Sequence, residues 1–182
     1  MLKSPENLGI IHFIGIGGIG MSGIAEILFQ SGYHVQGSDL KQSNNTNRLE
    51  KLGIKVYIGQ KKSNIIDAKI IVVSTAISEK NEEFIAAKKM FLPIVHRSEM
   101  LGELMRLKQS IAIAGTHGKT TTTSLIAKMI EENGMDPTII NGGIISSLDS
   151  NARLGNGEWM VVEADESDGS FSKLNPTAAI IT

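Results

Sequence analysis

An apolar run that leads into a glycine-rich turn and then into a helical segment occurs twice in this sequence. The first copy runs from Ile10 into GIGGIG at residues 15–20, and the second runs from Ile111 into GTHGKT at residues 115–120. A strand, a glycine-rich turn and a helix in this order form the phosphate-binding unit of parallel α/β proteins. The repetition therefore predicts two nucleotide sites, and hence two domains, in a chain of 182 residues.

The rest of the sequence alternates short β-branched runs with helical segments, as in parallel strands joined by crossover helices. The runs at 70–73 and 159–162 are continuously apolar, as expected for strands covered on both faces. Strands are predicted at residues 10–14, 34–37, 54–58, 69–74, 93–96, 110–114, 138–141, 159–163 and 178–182. Helices are predicted at residues 21–30, 46–52, 82–90, 99–107 and 120–133. The fold class is α/β: a Rossmann-like parallel-sheet domain at 1–107, then a P-loop ATPase-type domain from residue 108, after a polar junction at 106–110.

Composition excludes several classes of function. The net charge of -1, from 18 basic and 19 acidic residues, gives no electrostatic basis for binding nucleic acid or a membrane surface. The sequence has no cysteine, which excludes disulfides and thiolate metal sites, and its four histidines show no ligand spacing. Glycines interrupt the first apolar stretch far short of a membrane span. We expect a cytoplasmic protein with no membrane insertion.

The first glycine loop satisfies the G-x-G-x-x-G pattern with Gly15, Gly17 and Gly20, and Asp39 closely follows the next predicted strand, at the end of which a carboxylate binds a ribose hydroxyl. The alternative is a tight turn without a ligand. If a ligand binds, the pattern suits a dinucleotide and a nucleotide sugar equally. The stretch after the strand at 69–74 carries small hydroxyl residues that either face the ligand crevice or cap a helix.

The second glycine loop is a variant of the Walker A pattern, in which Gly118, Lys119 and Thr120 are present but Ile113 stands where the first glycine belongs. Backbone amides from residues 116–121 can surround a phosphate, Lys119 can reach it, and the Thr120 hydroxyl can bind magnesium. Glu163 is the first carboxylate after an apolar strand and is the preferred second magnesium ligand, with Asp165 next. Glu166 and Asp168 fit a solvated acidic turn. Residues 141–143, Asn-Gly-Gly, either reach the same crevice or form a turn.

These motifs together resemble the Mur ligases over nearly the whole chain. The resemblance rests on GIGGIGMSGIAE at 15–26, GSD at 37–39, STAI at 74–77 with NE at 81–82, HRSEML at 96–101, GTHGKTT at 115–121, NGG at 141–143 and EADESD at 163–168. The first and last of these point to the member that adds L-alanine. The resemblance implies ligation of L-alanine to the lactyl carboxylate of UDP-N-acetylmuramate, at the expense of ATP and through an acyl phosphate, in peptidoglycan precursor synthesis.

The resemblance also assigns residues to ligands. UDP-N-acetylmuramate would bind at Gly15, Gly17, Gly18, Ile19, Gly20, Met21, Ser22, Asp39, Ser74, Thr75 and Ala76. ATP would bind at Gly115, Thr116, His117, Gly118, Lys119, Thr120 and Thr121. Thr120 and Glu163 would bind Mg²⁺, and Lys119 and Glu163 would be the catalytic residues.

One departure concerns length, because Mur ligases have three domains and this sequence ends inside the expected central one. The segment 108–182 is therefore expected to be the first part of the ATP-binding domain, and the 182 residues alone are expected to bind the UDP-sugar without ligating alanine. Alanine-dependent ADP release by this chain would contradict that expectation. Two other functions remain as alternatives: a ligase that attaches a recycled peptide to the same UDP-sugar, and an NAD-binding oxidoreductase domain.

Overall fold

A computed structural model describes residues 4–145, 150–164, 171 and 174–182 of the chain. The chain divides into two compact units, Met1–Arg97 and Ser98–Thr182. The division falls ten residues before the domain boundary expected from the sequence, within a helix that the sequence analysis placed in the first domain. The functional assignment of segments 1–107 and 108–182 remains a prediction.

The first unit contains a five-stranded sheet with all strands parallel. Its strands are β1 (Ile10–Ile14), β2 (Val35–Asp39), β3 (Lys55–Ile58), β4 (Ala68–Val73) and β5 (Ile94–His96), in the order β3-β2-β1-β4-β5. Its helices are α1 (Pro5–Leu8), α2 (Ile19–Gln30), α3 (Asn44–Leu52) and α4 (Glu82–Lys89), with a 3-10 turn at Lys62–Ile65. Helix α5 (Arg97–Met105) crosses the division between the units. From β1 to β3 each new strand is added on one side of β1, and β4 and β5 are then added on the other side. The position between β1 and β4 is therefore the switch point at which α/β sheets bind ligands.

Local chemistry fixes the helix ends in the first unit. Ser43 and Thr46 form a reciprocal capping box at the start of α3, and Gly53 ends that helix in the left-handed conformation. The Asn81 side chain accepts the backbone N–H groups of Glu83 and Phe84 at the start of α4. The buried core includes most of β1 and the apolar face of α2.

The second unit contains a mixed sheet. Its strands are β6 (Gln109–Ala114), β7 (Thr138–Ile145), β8 (Ser150–Arg153), β9 (Trp159–Glu163) and β10 (Ala178–Ile181), and its helix α6 is Lys119–Glu132. The order is β10-β6-β9-β7-β8, and β8 pairs with β7 in the antiparallel direction. The α/β class is confirmed, with β6, β9, β7 and β10 parallel as expected.

The sequence analysis missed β8 and ended β7 four residues early. Strand β8 has the sequence SNAR, which contains no apolar run, and it is strand only because its backbone completes the edge of the sheet beside β7. All nine predicted strands are present, and apart from the carboxyl end of β7 no strand end differs from its predicted position by more than two residues. Of the helices in the described part of the chain, none is long and apolar enough to cross a membrane.

Candidate functional site

The first glycine loop joins β1 to α2 at the carboxyl edge of the first sheet. The N–H groups of Gly15 and Ile16 donate to the Ser38 carbonyl at 2.8 and 2.9 Å, so the turn is tied to the end of β2. Gly15 has φ +79°, a conformation that disfavours side chains. The loop therefore lies at the switch point, with the amino end of α2 beside it, which is the arrangement that binds phosphate in this fold class.

Asp39 contacts this loop directly. Its Oδ2 accepts the N–H of Gly17 at 2.8 Å, and its Oδ1 accepts the N–H of Leu40 at 2.8 Å. Asn45 donates from its side chain to the Gly17 carbonyl at 2.8 Å. A Cβ at Gly17 would lie 2.9 Å from Asp39 Oδ2, so only glycine permits this contact. The carboxylate that the sequence analysis assigned to a ribose hydroxyl also fixes the loop.

The other residues assigned to the first site differ in exposure. Ser74, Thr75 and Ala76 follow β4 at the same edge of the sheet, and Thr75 and Ala76 are exposed. Met21 and Ser22 have buried side chains, and their N–H groups donate to the Gly18 carbonyl. At these two positions the side chains therefore pack inside the protein.

Arg97 lies against the first turn of α2, a contact that the sequence analysis did not anticipate. Its Nη1 is 2.9 Å from the position that a Cβ on Gly20 would take. Because Gly20 has no side chain, the Arg97 guanidinium can lie beside the glycine loop. The signal in the sequence was only the HR pair at 96–97, which gives no indication of its partner.

A network of buried polar side chains links β1 and β2 to α4, and the sequence analysis did not predict it. Glu83 of α4 is fully buried and accepts the Ser38 hydroxyl at 2.5 Å and the Asn64 amide at 2.6 Å. His12 Nε2 lies 3.4 Å from the same carboxylate, and Gln36 donates to His12 Nδ1 at 3.2 Å. Because Ser38 also holds the glycine loop through its carbonyl, the network fixes the strand that carries Asp39.

The second glycine loop encloses a cavity of about 380 Å³ in the second unit. The cavity is lined by Thr116, His117, Gly118, Lys119, Thr120, Thr121 and Glu163. Gly115 and Gly118 have φ of +129° and +80°, so both turns of the loop favour glycine. Lys119 begins α6, and its Nζ donates to the Gly115 carbonyl at 2.6 Å. Three residues of the loop, the first three residues of α6 and a carboxylate distant in the sequence thus surround one space.

Thr120 and Glu163 provide oxygen ligands for a hard cation. The Thr120 hydroxyl donates to Glu163 Oε2 at 2.9 Å, and both residues line the open cavity. A hydroxyl, a carboxylate, phosphate oxygens and water are the ligand types that Mg²⁺ takes in nucleotide sites. The donor set therefore fits magnesium bound together with a nucleotide. Within the described residues no group of three or more histidine and acidic side chains forms a site that would hold a metal by itself. Asp165, Glu166 and Asp168 lie outside the described residues.

A larger cleft of about 650 Å³ lies at the opposite end of the second sheet, near the first residues of β6 and β9. Lys108 lies there and donates from Nζ to the carbonyls of Gly155 and Gly157 at 2.7 and 2.6 Å. Burial lowers the pKa of Lys108. These bonds join two loops, so the lysine has a structural role and the cleft contains none of the predicted site residues.

Comparison with known proteins identifies relatives along the whole chain. A family model described as "Mur ligase family, catalytic domain" matches residues 10–109. The UDP-N-acetylmuramate–L-alanine ligases of Parvibaculum lavamentivorans and Dinoroseobacter shibae are each 62% identical to this chain, over 100% and 99% of it. The chain spans 37% and 39% of the length of these two relatives.

Solved structures give the same result. The UDP-N-acetylmuramate–alanine ligase of Thermotoga maritima matches with a TM-score of 0.89 at 36% identity, over 95% of this chain and 41% of that one. A UDP-N-acetylmuramate:L-alanyl-gamma-D-glutamyl-meso-diaminopimelate ligase of Neisseria meningitides matches with a TM-score of 0.88 at 30% identity, over 96% of this chain and 61% of that one.

Proposed function

This chain belongs to the Mur ligase family, and we propose that it supplies the UDP-sugar-binding and ATP-binding units of a ligase that joins L-alanine to UDP-N-acetylmuramate. The observation that carries the proposal is the 62% sequence identity to a UDP-N-acetylmuramate–L-alanine ligase, which extends over the entire chain. The geometry supports it, because one chain contains both a dinucleotide-type glycine loop with its acid and a phosphate loop with a threonine–glutamate pair.

In the first unit, the glycine loop holds the diphosphate of UDP-N-acetylmuramate. Close approach of the diphosphate to the backbone requires the absence of side chains at Gly15, Gly17, Gly18 and Gly20. The amino end of α2 contributes partial positive charge toward the diphosphate. Ser74, Thr75 and Ala76 line the other side of the switch point, at the end of β4.

In the second unit, the loop at 115–121 holds the phosphates of ATP. Lys119 exchanges its bond to the Gly115 carbonyl for a bond to a phosphate oxygen. Thr120 and Glu163 hold Mg²⁺, which neutralises phosphate charge when it is bound.

The reaction class is phosphoryl transfer followed by amide formation. The lactyl carboxylate attacks the γ-phosphate to give an acyl phosphate and ADP, and the amine of L-alanine then displaces phosphate. The contribution of these residues is positioning and charge stabilisation.

Calorimetric titration of the chain with UDP-N-acetylmuramate tests the first site, with NADH and Mg²⁺–ATP as parallel titrants. We expect saturable binding of the UDP-sugar and no heat of binding with NADH. Binding of NADH without the UDP-sugar would instead support a dinucleotide-dependent oxidoreductase domain and would refute the proposal.

The structural likeness to the Neisseria peptide ligase keeps one related function as a second candidate. Both functions use the same UDP-sugar and differ in the amine that is joined to it. An assay of ADP release by a longer protein that contains this chain would distinguish them. The alternative acceptors are L-alanine and the tripeptide L-alanyl-gamma-D-glutamyl-meso-diaminopimelate. Preference for the tripeptide would replace the alanine assignment.

A further inference from the structure

We infer that the Asn141 side chain and the Gly142 backbone N–H form a clamp that holds the Glu163 carboxylate in position for the divalent cation of the bound nucleotide. The clamp also explains why residue 142 is glycine. The inference rests on the proposed nucleotide function of the second unit and adds two positioning residues to it.

Two hydrogen bonds reach the same oxygen of the Glu163 carboxylate, and one of them comes from the clamp. The backbone N–H of Gly142 donates to Glu163 Oε2 at 2.9 Å, and the Thr120 hydroxyl donates to the same oxygen at 2.9 Å. Two donors from different elements, β7 and α6, thus meet on one oxygen. They restrict the rotation of the carboxylate, while Oε1 has no donor among the described residues.

Gly142 leaves the space that the carboxylate occupies. A Cβ at this position would lie 2.5 Å from Oε1, 2.6 Å from Cδ and 2.9 Å from Oε2 of Glu163. Gly142 does not have a left-handed φ, so its backbone conformation is open to other residues. The three atoms nearest to such a Cβ all belong to Glu163, so the carboxylate is the closest obstacle to a side chain at this position.

Gly143 provides the contrast within the same strand. A Cβ there would meet Thr120 Cγ2 at 3.5 Å, which is an ordinary van der Waals contact, and its φ is also outside the left-handed region. A methyl group would therefore displace Glu163 at Gly142 but not at Gly143.

Asn141 fixes the position of the Gly142 amide. Asn141 is 2% exposed, its Oδ1 accepts the Gly142 N–H at 3.0 Å, and its Nδ2 donates to Ser124 Oγ at 3.1 Å. The same Nδ2 lies 3.5 Å from the Thr120 carbonyl. The side chain therefore joins the middle of β7 to the first turns of α6, the helix that carries Thr120.

Such a clamp matters because a glutamate side chain loses rotational freedom when it binds a cation. Hydrogen bonds that orient a metal-binding carboxylate beforehand reduce this cost, and loss of such partners typically weakens metal binding by about 10- to 100-fold. The clamp makes a specific claim: residues 141 and 142 act on the cation through Glu163 and leave the cation-independent contacts of the phosphate loop unchanged.

The test measures ATP affinity calorimetrically with Mg²⁺ and with EDTA, in the unaltered chain, Gly142→Ala and the matched control Gly143→Ala. We expect Mg²⁺ to strengthen ATP binding by the same factor in the unaltered chain and in Gly143→Ala. In Gly142→Ala that factor should fall by about 10-fold or more, with the affinity in EDTA unchanged. An undiminished Mg²⁺ effect in Gly142→Ala, or an equal loss in EDTA, would overturn the inference.

A double-mutant cycle with Glu163→Ala covers the case in which Gly142→Ala lowers stability. If the added methyl group acts by displacing the carboxylate, Gly142→Ala should change neither the melting temperature nor the Mg²⁺ effect on ATP affinity by much in a chain that already carries Glu163→Ala. The effects of the two substitutions should therefore be non-additive. Additive effects on both quantities would contradict the clamp. Failure of the unaltered chain to bind ATP under either condition would instead remove the proposed nucleotide site, and the inference with it.

Discussion

The Asp39 carboxylate accepts the backbone N–H of Gly17 at 2.8 Å, across 22 residues of sequence. This bond joins the end of β2 to the middle of the first glycine loop. The loop therefore depends on a side chain that binds the ribose in dinucleotide-type folds. Holding the loop and binding a ribose are two roles that predict different results when Asp39 is replaced.

Replacing Asp39 separates these roles. Asp39→Ala removes the acceptor for the Gly17 N–H, and we expect UDP-N-acetylmuramate affinity to fall by about 10- to 100-fold, the value of a charge-assisted hydrogen bond. Asp39→Asn keeps one oxygen for that N–H and should lose clearly less. Calorimetry on both variants checks this, and equal losses would show that the bond to Gly17 is not what the ligand requires.

The buried Glu83 should be essential for the stability of the first unit. Glu83→Ala leaves the Ser38 hydroxyl without its acceptor and leaves the Asn64 amide with only the Gly59 carbonyl, and we expect the free energy of unfolding to fall by about 2–5 kcal/mol. Glu82→Ala is the matched control, because Glu82 is exposed in the same helical turn. It should cost under about 1 kcal/mol. Urea denaturation followed by circular dichroism measures both, and similar values for the two variants would contradict the role of the network.

Lys119 should matter for ATP and not for the fold. Lys119→Ala removes the charge expected at the phosphates, and ATP affinity should fall by about 10- to 100-fold with little change in melting temperature. Lys128→Ala in the same helix is the control, since the Lys128 side chain is 62% exposed and its amine pairs with Glu131 and Glu132. Equal affinities for the two variants would exclude Lys119 from the nucleotide site.

Arg153 should give the second unit a pH-dependent stability. Its guanidinium binds Glu131 at 2.5 Å and holds the pKa of that carboxyl below its ordinary value of 4.5. The Asn156 N–H, with a smaller contribution from Arg153, lowers the pKa of Asp136 below 3.8. A lowered pKa in the folded state stabilises the protein above the ordinary pKa, and this stabilisation is lost as the pH falls through the lowered value.

We therefore expect Arg153→Gln to melt a few degrees lower than the unaltered chain at neutral pH. The difference should begin to shrink as the pH falls to the ordinary pKa values and should vanish once the pH is below the lowered ones. Both carboxyls are at the surface, so the effect at neutral pH is small. Melting curves across this range check it, with Arg106→Gln as the control, because Arg106 is an exposed arginine directly after α5 that pairs with Glu103. A difference that persists unchanged at the acidic end would exclude these two carboxyls as its source.

Much of the fold could be predicted because its signals are local. An apolar run of five residues, a glycine turn and a helical repeat each extend over one short segment, so nine strands and five helices were identified near their observed bounds. Strand β8 was missed because its polar sequence carries no such signal and its strand conformation depends on pairing with β7.

The candidate sites divide in the same way. The sequence by itself determined where the two glycine loops lie and that a helix begins at about Thr120, because glycine sterics and helix periodicity act over a few residues. Only the tertiary structure decided which distant groups meet: Asp39 with Gly17, Glu83 with Ser38, and Glu163 with Gly142. The reason is that these contacts depend on strand order, strand register and the packing of helices on the sheets, which no short segment encodes.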